Sequence, residues 1–128
     1  SAASDVYKRQ AFGELCAMVL DGLKAAGRAF SPGNSLGVTA LMSRWMSDAG
    51  CRVAQDRAYT IEVSAGTRGH DMFVREVEVF GQLIQPFLLE LGVTVERFDE
   101  VFQRVLREIR EEEFCGICYL RTVVGVKV

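Results

Sequence analysis

Phe114-Cys-Gly-Ile-Cys-Tyr-Leu-Arg-Thr-Val-Val-Gly-Val126 decides how this chain folds. Apolar residues occupy nearly every position on both faces of this stretch, the composition of a central strand inside a sheet. Such a strand needs a neighbour on each edge. One other stretch reads as a good strand, residues 52–63, and only its second half alternates: Tyr59, Ile61 and Val63 share one face, Thr60 and Glu62 the other. That is an edge strand with one wet face. Two strands leave the central one with a row of unmet backbone donors and acceptors. The expectation is therefore a fragment of a larger sheet or an obligate oligomer, with self-association through the exposed edge of residues 115–126 and marginal stability.

The segments around these strands read as helices. Phe12, Leu15, Cys16, Val19, Leu20 and Leu23 recur at helical spacing, and Gly27 stands where a C-terminal cap is expected. Ser31-Pro-Gly-Asn-Ser35 carries turn chemistry. A second helix is expected from Thr39 as N-cap, with Leu41, Met42, Trp45 and Ala49 on one stripe, Met46 beside them in the core, and Gly50 as its stop. After the polar loop Ser64-Ala-Gly-Thr-Arg-Gly-His70, the stripe Phe73, Val77, Phe80, Ile84, Phe87 and Leu91 predicts a long helix that Pro86 should kink or divide and Gly92 ends. Thr94 is the predicted N-cap of the last helix, with Glu96 in its first turn and Phe98, Val101, Phe102, Val105, Leu106 and Ile109 behind it. The expected fold of the chain by itself is α+β: four helical segments with a two-stranded antiparallel ribbon.

Composition narrows the function. A chain of 128 residues, 49% hydrophobic, suits one domain. The net charge of -2 comes without a long block of either sign, which argues against nucleic acid. Glu111, Glu112 and Glu113 follow Arg107 and Arg110 and read as a solvated helix end. The longest apolar candidate, Leu83 to Leu91, is interrupted by Gln85, Pro86 and Glu90, far from the ~20 apolar residues a membrane span needs. Cys16, Cys51, Cys115 and Cys118 are scattered rather than spaced as a disulfide scaffold, which fits a reducing cytoplasm. Residues 1–10 stand apart from the domain at 11–128. Asp5-Val-Tyr-Lys-Arg-Gln10 looks like the in-frame translation of a transposase end used in preparing sequencing libraries, so that the natural protein is expected to begin earlier; otherwise it is a polar arm extending the first helix.

Taken together, Phe30-Ser-Pro32, Leu36-Gly-Val-Thr-Ala-Leu-Met42, Asp48-Ala-Gly50, Ser64-Ala-Gly-Thr67 with His70-Asp71, Gln82-Leu-Ile-Gln-Pro-Phe87 and Glu113-Phe-Cys-Gly-Ile117 resemble the end of bacterial class I S-adenosylmethionine-dependent methyltransferases. The resemblance covers residues 11–128. It implies a Rossmann-like seven-stranded sheet whose last strand runs antiparallel between the fifth and sixth, and the family's closing Gly-x-Lys resembles Gly125-Val-Lys127. Residues 52–63 would be the sixth strand and 115–126 the seventh, with the helices between them roofing a substrate pocket. The chain departs from the family at Cys118 and Val124, where relatives tend to carry tryptophan. The resemblance implies S-adenosylmethionine as cofactor and a small-molecule methyl acceptor for the intact parent. The alternative is a small helical interaction module or oligomer without enzymatic activity, its apolar stripes holding a partner helix.

Cofactor chemistry in this family needs a glycine-rich turn after the first strand and an acid at the end of the second. Neither Gly33-Asn-Ser-Leu-Gly37 nor Gly66-Thr-Arg-Gly69 has that spacing, and both read as turns, so this chain is not expected to bind the cofactor tightly or to act alone. Cys115-Gly-Ile-Cys118 lacks the second pair of a structural zinc site, and on a strand its side chains face opposite ways, so both read as packing residues and no metal site is expected. Substrate-pocket candidates are Ser64, Gly66, Arg68 and His70. His70, the one histidine, is available as a base or ligand with Asp71 beside it and Tyr59 on the preceding strand, or else is a capping or surface residue. Arg68 would meet an acidic substrate group or water.

Overall fold

The computed structural model describes residues 4–6, 10–30, 33 and 39–128. In chain order the elements are β1 (Ser4–Val6), α1 (Gln10–Ala25), a 3-10 turn (Thr39–Leu41), α2 (Met42–Asp48), β2 (Cys51–Glu62), α3 (His70–Glu90), α4 (Val95–Arg110) and β3 (Gly116–Lys127). The fold is α+β: four helices and a long antiparallel ribbon of β2 and β3, to which β1 adds three residues. The strand order is β1-β3-β2, which puts β2 at an edge, as its alternation predicts. β1 pairs with β3 only from Gly116 to Cys118. Beyond Cys118, no strand among the described residues lies along that side of β3. The turn expected over residues 31–35 lies, apart from Gly33, outside the described residues.

α1 and α3 end where a glycine can reverse the chain. Gly27 takes a φ of 69°, Arg28 N–H donates to the Leu23 carbonyl at 2.8 Å, and Gly27 N–H donates to Lys24 at 3.1 Å. These paired bonds satisfy carbonyls that a helix terminus otherwise leaves orphaned. Gly92, with a φ of 98°, closes α3 in the same way through Val93 N–H to Leu88 and its own N–H to Leu89. Thr94 caps α4 as expected, its hydroxyl oxygen accepting from Arg97 N–H at 3.1 Å.

Three expectations need correction. Thr39 does not cap a helix. It opens the 3-10 turn, and α2 starts only at Met42, with no side-chain cap. No residue of α2 is buried, and Trp45 lies 41% exposed with its ring 6.0 Å from Phe30, so Met42, Trp45 and Met46 are not part of the main core. Pro86 does not divide α3, which runs unbroken for 21 residues. The missing N–H removes one bond to the carbonyl four residues earlier, and Phe73, Val77, Gly81 and Leu88 keep the helix packed on both sides of it.

The core lies between α1, α3, α4 and one end of the sheet, around Leu15, Leu88, Val101, Val105, Ile109 and Phe114. Phe114 joins α4 to β3 and stacks on Phe73 with ring centroids 5.8 Å apart. α3 and α4 meet where α3 carries Gly81: a Cβ there would stand 2.1 Å from the ring of Phe102. The three large helices and α2 use opposite faces of the ribbon. Ile61 and Cys118, which pair across the strands, turn toward the core, whereas Gly125 and Cys51 turn toward Met46 of α2. Each face is therefore covered at one end only. Ile117, Tyr119, Val124 and Val126 stay exposed, so β3 is less enclosed than its two apolar faces suggest.

The register of β2 has one irregularity near its start. Val53 pairs with Gly125 and Gln55 with Val124, so Ala54 is an extra residue, a bulge. It reverses the alternation, placing Cys51 and Val53 on the face that carries Asp56 and Ala58.

Candidate functional site

The loop between β2 and α3 contains the four residues singled out by sequence, and the structure ties most of its polar atoms to the backbone. Ser64 Oγ accepts from Gly116 N–H at 3.0 Å, pinning the loop to the start of β3. Gly66 has a φ of 83°, a left-handed conformation that favours glycine, and is exposed. Arg68 is exposed. His70 is half-buried, and its Nε2–H donates to the carbonyl of Ile109 at 2.7 Å, one of the last carbonyls of α4. Its ring lies 5.9 Å from that of Phe114. Ser64 and His70 thus fasten the loop to β3 and to α4. Thr67 completes the turn by donating from its hydroxyl to the Ser64 carbonyl at 2.6 Å, a role that its place in a Ser-x-x-Thr stretch signals. Gly69 is required for another reason: a Cβ would meet the Glu62 carbonyl oxygen at 2.5 Å. Its backbone packs on β2.

A second place has the form of a site, and the sequence did not point to it. A cavity of about 550 Å³ opens between α1, α3 and the ribbon. α1 supplies Phe12, Leu15, Cys16 and Val19, α3 supplies Phe73, Val77 and Ile84, and the floor is Ile61, Cys118 and Leu120. Glu76 is the one charged residue in the lining. None of Ser64, Gly66, Arg68 and His70 borders this cavity. Burial raises the Cys16 thiol above its ordinary pKa, which keeps it protonated and apolar in behaviour.

A densely bonded polar group lies on the opposite face of the ribbon. Arg121 grips Asp56 with two bonds, Nε to Oδ1 at 2.8 Å and a terminal nitrogen to Oδ2 at 2.7 Å. The same guanidinium donates to the Thr39 carbonyl and to Ser43 Oγ, each at 2.9 Å, and Ser43 in turn donates to Asp56. Hydrogen bonds from Arg121 and Ser43 hold the Asp56 carboxyl down at about 2. With its bonds directed at Asp56, at the Thr39 turn and at Ser43, the guanidinium ties the 3-10 turn and α2 onto the sheet.

None of the four cysteines is in a disulfide, and Cys115 and Cys118 are separated by face: Cys115 is exposed while Cys118 lines the cavity. Among the described residues no group of three or more His, Cys, Asp or Glu side chains is placed to hold a metal ion, and no helix is long and apolar enough to cross a membrane. No protein-family model, curated protein or solved structure matches this chain.

Proposed function

We propose that this chain is the carboxyl-terminal, substrate-side segment of a class I S-adenosylmethionine-dependent methyltransferase, inactive by itself. The observation that carries the reading is the strand order: β3 lies antiparallel beside β2, with β2 at the edge and the other side of β3 open among the described residues from Leu120 onward. That is the arrangement the resemblance implies for the sixth and seventh strands, and the open side is where a fifth strand would lie. The cofactor supplies an electrophilic methyl group when bound in the intact enzyme. Here Gly66 serves a turn and Gly69 packs against Glu62, so no step of methyl transfer is assigned to these residues. The loop 64–70 and the helices after it would border the small-molecule acceptor. Thiols outside any disulfide are in keeping with a reducing cytoplasm.

Calorimetric titration of the chain with S-adenosylmethionine tests the first half of the reading: no heat is expected, and micromolar binding would place a cofactor site within this chain and overturn it. A chimera tests the second half. The cofactor-binding half of a class I methyltransferase, through its fifth strand, is joined to residues 11–128 and compared with the isolated chain by sedimentation. The isolated chain is expected to self-associate through β3. The chimera is expected to be monomeric and to bind the cofactor. A monomeric isolated chain with a sharp, concentration-independent unfolding transition, or a chimera that binds cofactor and still self-associates, would refute it.

A further inference from the structure

We propose that the cavity between α1, α3 and the ribbon binds a small molecule with an apolar body and a cationic head, of the alkyl- or arylammonium class. Its volume of about 550 Å³ falls within the roughly 300–1,000 Å³ typical of small-molecule sites. A peptide helix is a poor fit, since one helical turn with side chains, roughly 10–12 Å across and 5.4 Å long, would already take ~500 Å³. The walls belong to the packed core: Leu15, Val19, Phe73 and Val77 are buried, so a guest would meet a preformed apolar surface. The mouth lies along α3, where Met72 is 55% and Phe80 40% exposed.

Glu76 sets the sign of the head group. It stands one turn from Met72 and one turn from Phe80, and so lies on the rim between them. No Lys, Arg or His borders the cavity, and among the described residues Glu76 is in no ion pair. An apolar guest with a positive end satisfies both features at once: its body leaves water for the cavity, and its head stays at the rim beside a carboxylate. The cavity is built from this chain's own elements and requires no methyltransferase parent.

The test is displacement of the neutral fluorophore N-phenyl-1-naphthylamine by three ligands of equal chain length, decyltrimethylammonium, decanol and decyl sulfate. All are used below micelle-forming concentrations, with the helical circular dichroism recorded at each step. Saturable, one-site displacement is expected, with the ammonium tightest, the alcohol about two- to fivefold weaker and the sulfate weaker again, as suits a partly solvated charge. Glu76→Gln should bring the ammonium and the alcohol to equal affinity without loss of fluorophore binding, and Cys16→Phe should abolish binding of all of them by filling the cavity. Folded wild-type chain with no saturable signal would overturn the proposal, as would an unchanged order of affinities in Glu76→Gln. If Cys16→Phe does not fold, the Glu76→Gln result decides, because that side chain is exposed. S-adenosylmethionine is absent from every arm, so this outcome and that of the cofactor titration are separate.

Discussion

Replacing Gly81 by alanine sets two effects of opposite sign against each other. Glycine in the middle of a helix is worth about 1 kcal/mol less than alanine, so propensity alone predicts that the variant is more stable. The structure predicts the reverse. A Cβ at position 81 would stand 2.1, 2.4 and 2.7 Å from three carbons of the Phe102 ring, where carbon atoms prefer about 3.5–4.0 Å. The ring would have to retreat by more than about 1 Å, and it is stacked on the buried ring of Phe98 at 5.5 Å. Overpacking of this kind costs about 1–3 kcal/mol, so after the gain in propensity the net loss should be up to about 2 kcal/mol. For a chain of this length that lowers Tm by up to roughly 10 °C. Thermal and urea unfolding of Gly81→Ala, Phe102→Leu and the double variant form a cycle in which the smaller side chain makes room for the methyl group. The double variant should be more stable than the two separate losses predict, by about 1 kcal/mol or more. A higher Tm for Gly81→Ala alone would show that α3 and α4 do not approach this closely.

Thr94→Ala removes the hydroxyl that accepts from Arg97 N–H, and should lower stability by about 1 kcal/mol; an unchanged urea midpoint would show that the cap is idle. Asp56, held at about 2 against an unfolded value of about 3.9, contributes stability that is present above the unfolded value and lost as pH falls through the folded one. Asp56→Asn should therefore have a lower urea midpoint than wild type at pH 5, with the gap closing between about pH 4 and pH 2; parallel curves would exclude the Arg121 clamp. Cys16, its thiol raised by burial, should be alkylated by iodoacetamide later than the exposed Cys115, as read by peptide mass spectrometry, and equal rates would contradict the buried position.

What could be read in advance depended on how local the signal was. α4 was legible throughout, because its cap and its apolar stripe at Phe98, Val101, Val105 and Ile109 are both written within the helix. The start of α2 was not, since a threonine next to an apolar stripe serves a 3-10 turn as readily as an N-cap. Of the two outcomes expected at Pro86, division does not occur, because the packing around Leu88 that holds α3 together comes from other elements. The same limit applies to the candidate sites. Sequence located the 64–70 loop as polar and glycine-bearing, but the partners of Ser64 and His70 lie 52 and 39 residues away. The cavity was invisible because Cys16, Val19, Val77 and Ile84 belong to stripes that read as core. Periodicity tells which face of a helix is apolar, and nothing about whether the space opposite is filled.

The bulge at Ala54 has an evolutionary corollary. It acts as a phase shift in the code of inside and outside: from Gln55 onward the even positions of β2 belong to the α2 side, and before Ala54 the odd ones do. A one-codon deletion here would leave the pairing on both sides intact and every side chain on its present face, because Val53 and Gln55, which would then be neighbours, already point to opposite faces. Any homologue lacking that codon is accordingly expected to keep the same polarity on both sides of the gap, with the alternation running through it unbroken. A one-residue change of length with the polarity unchanged on either side would mark the bulge in an alignment of sequences without a structure for any of them.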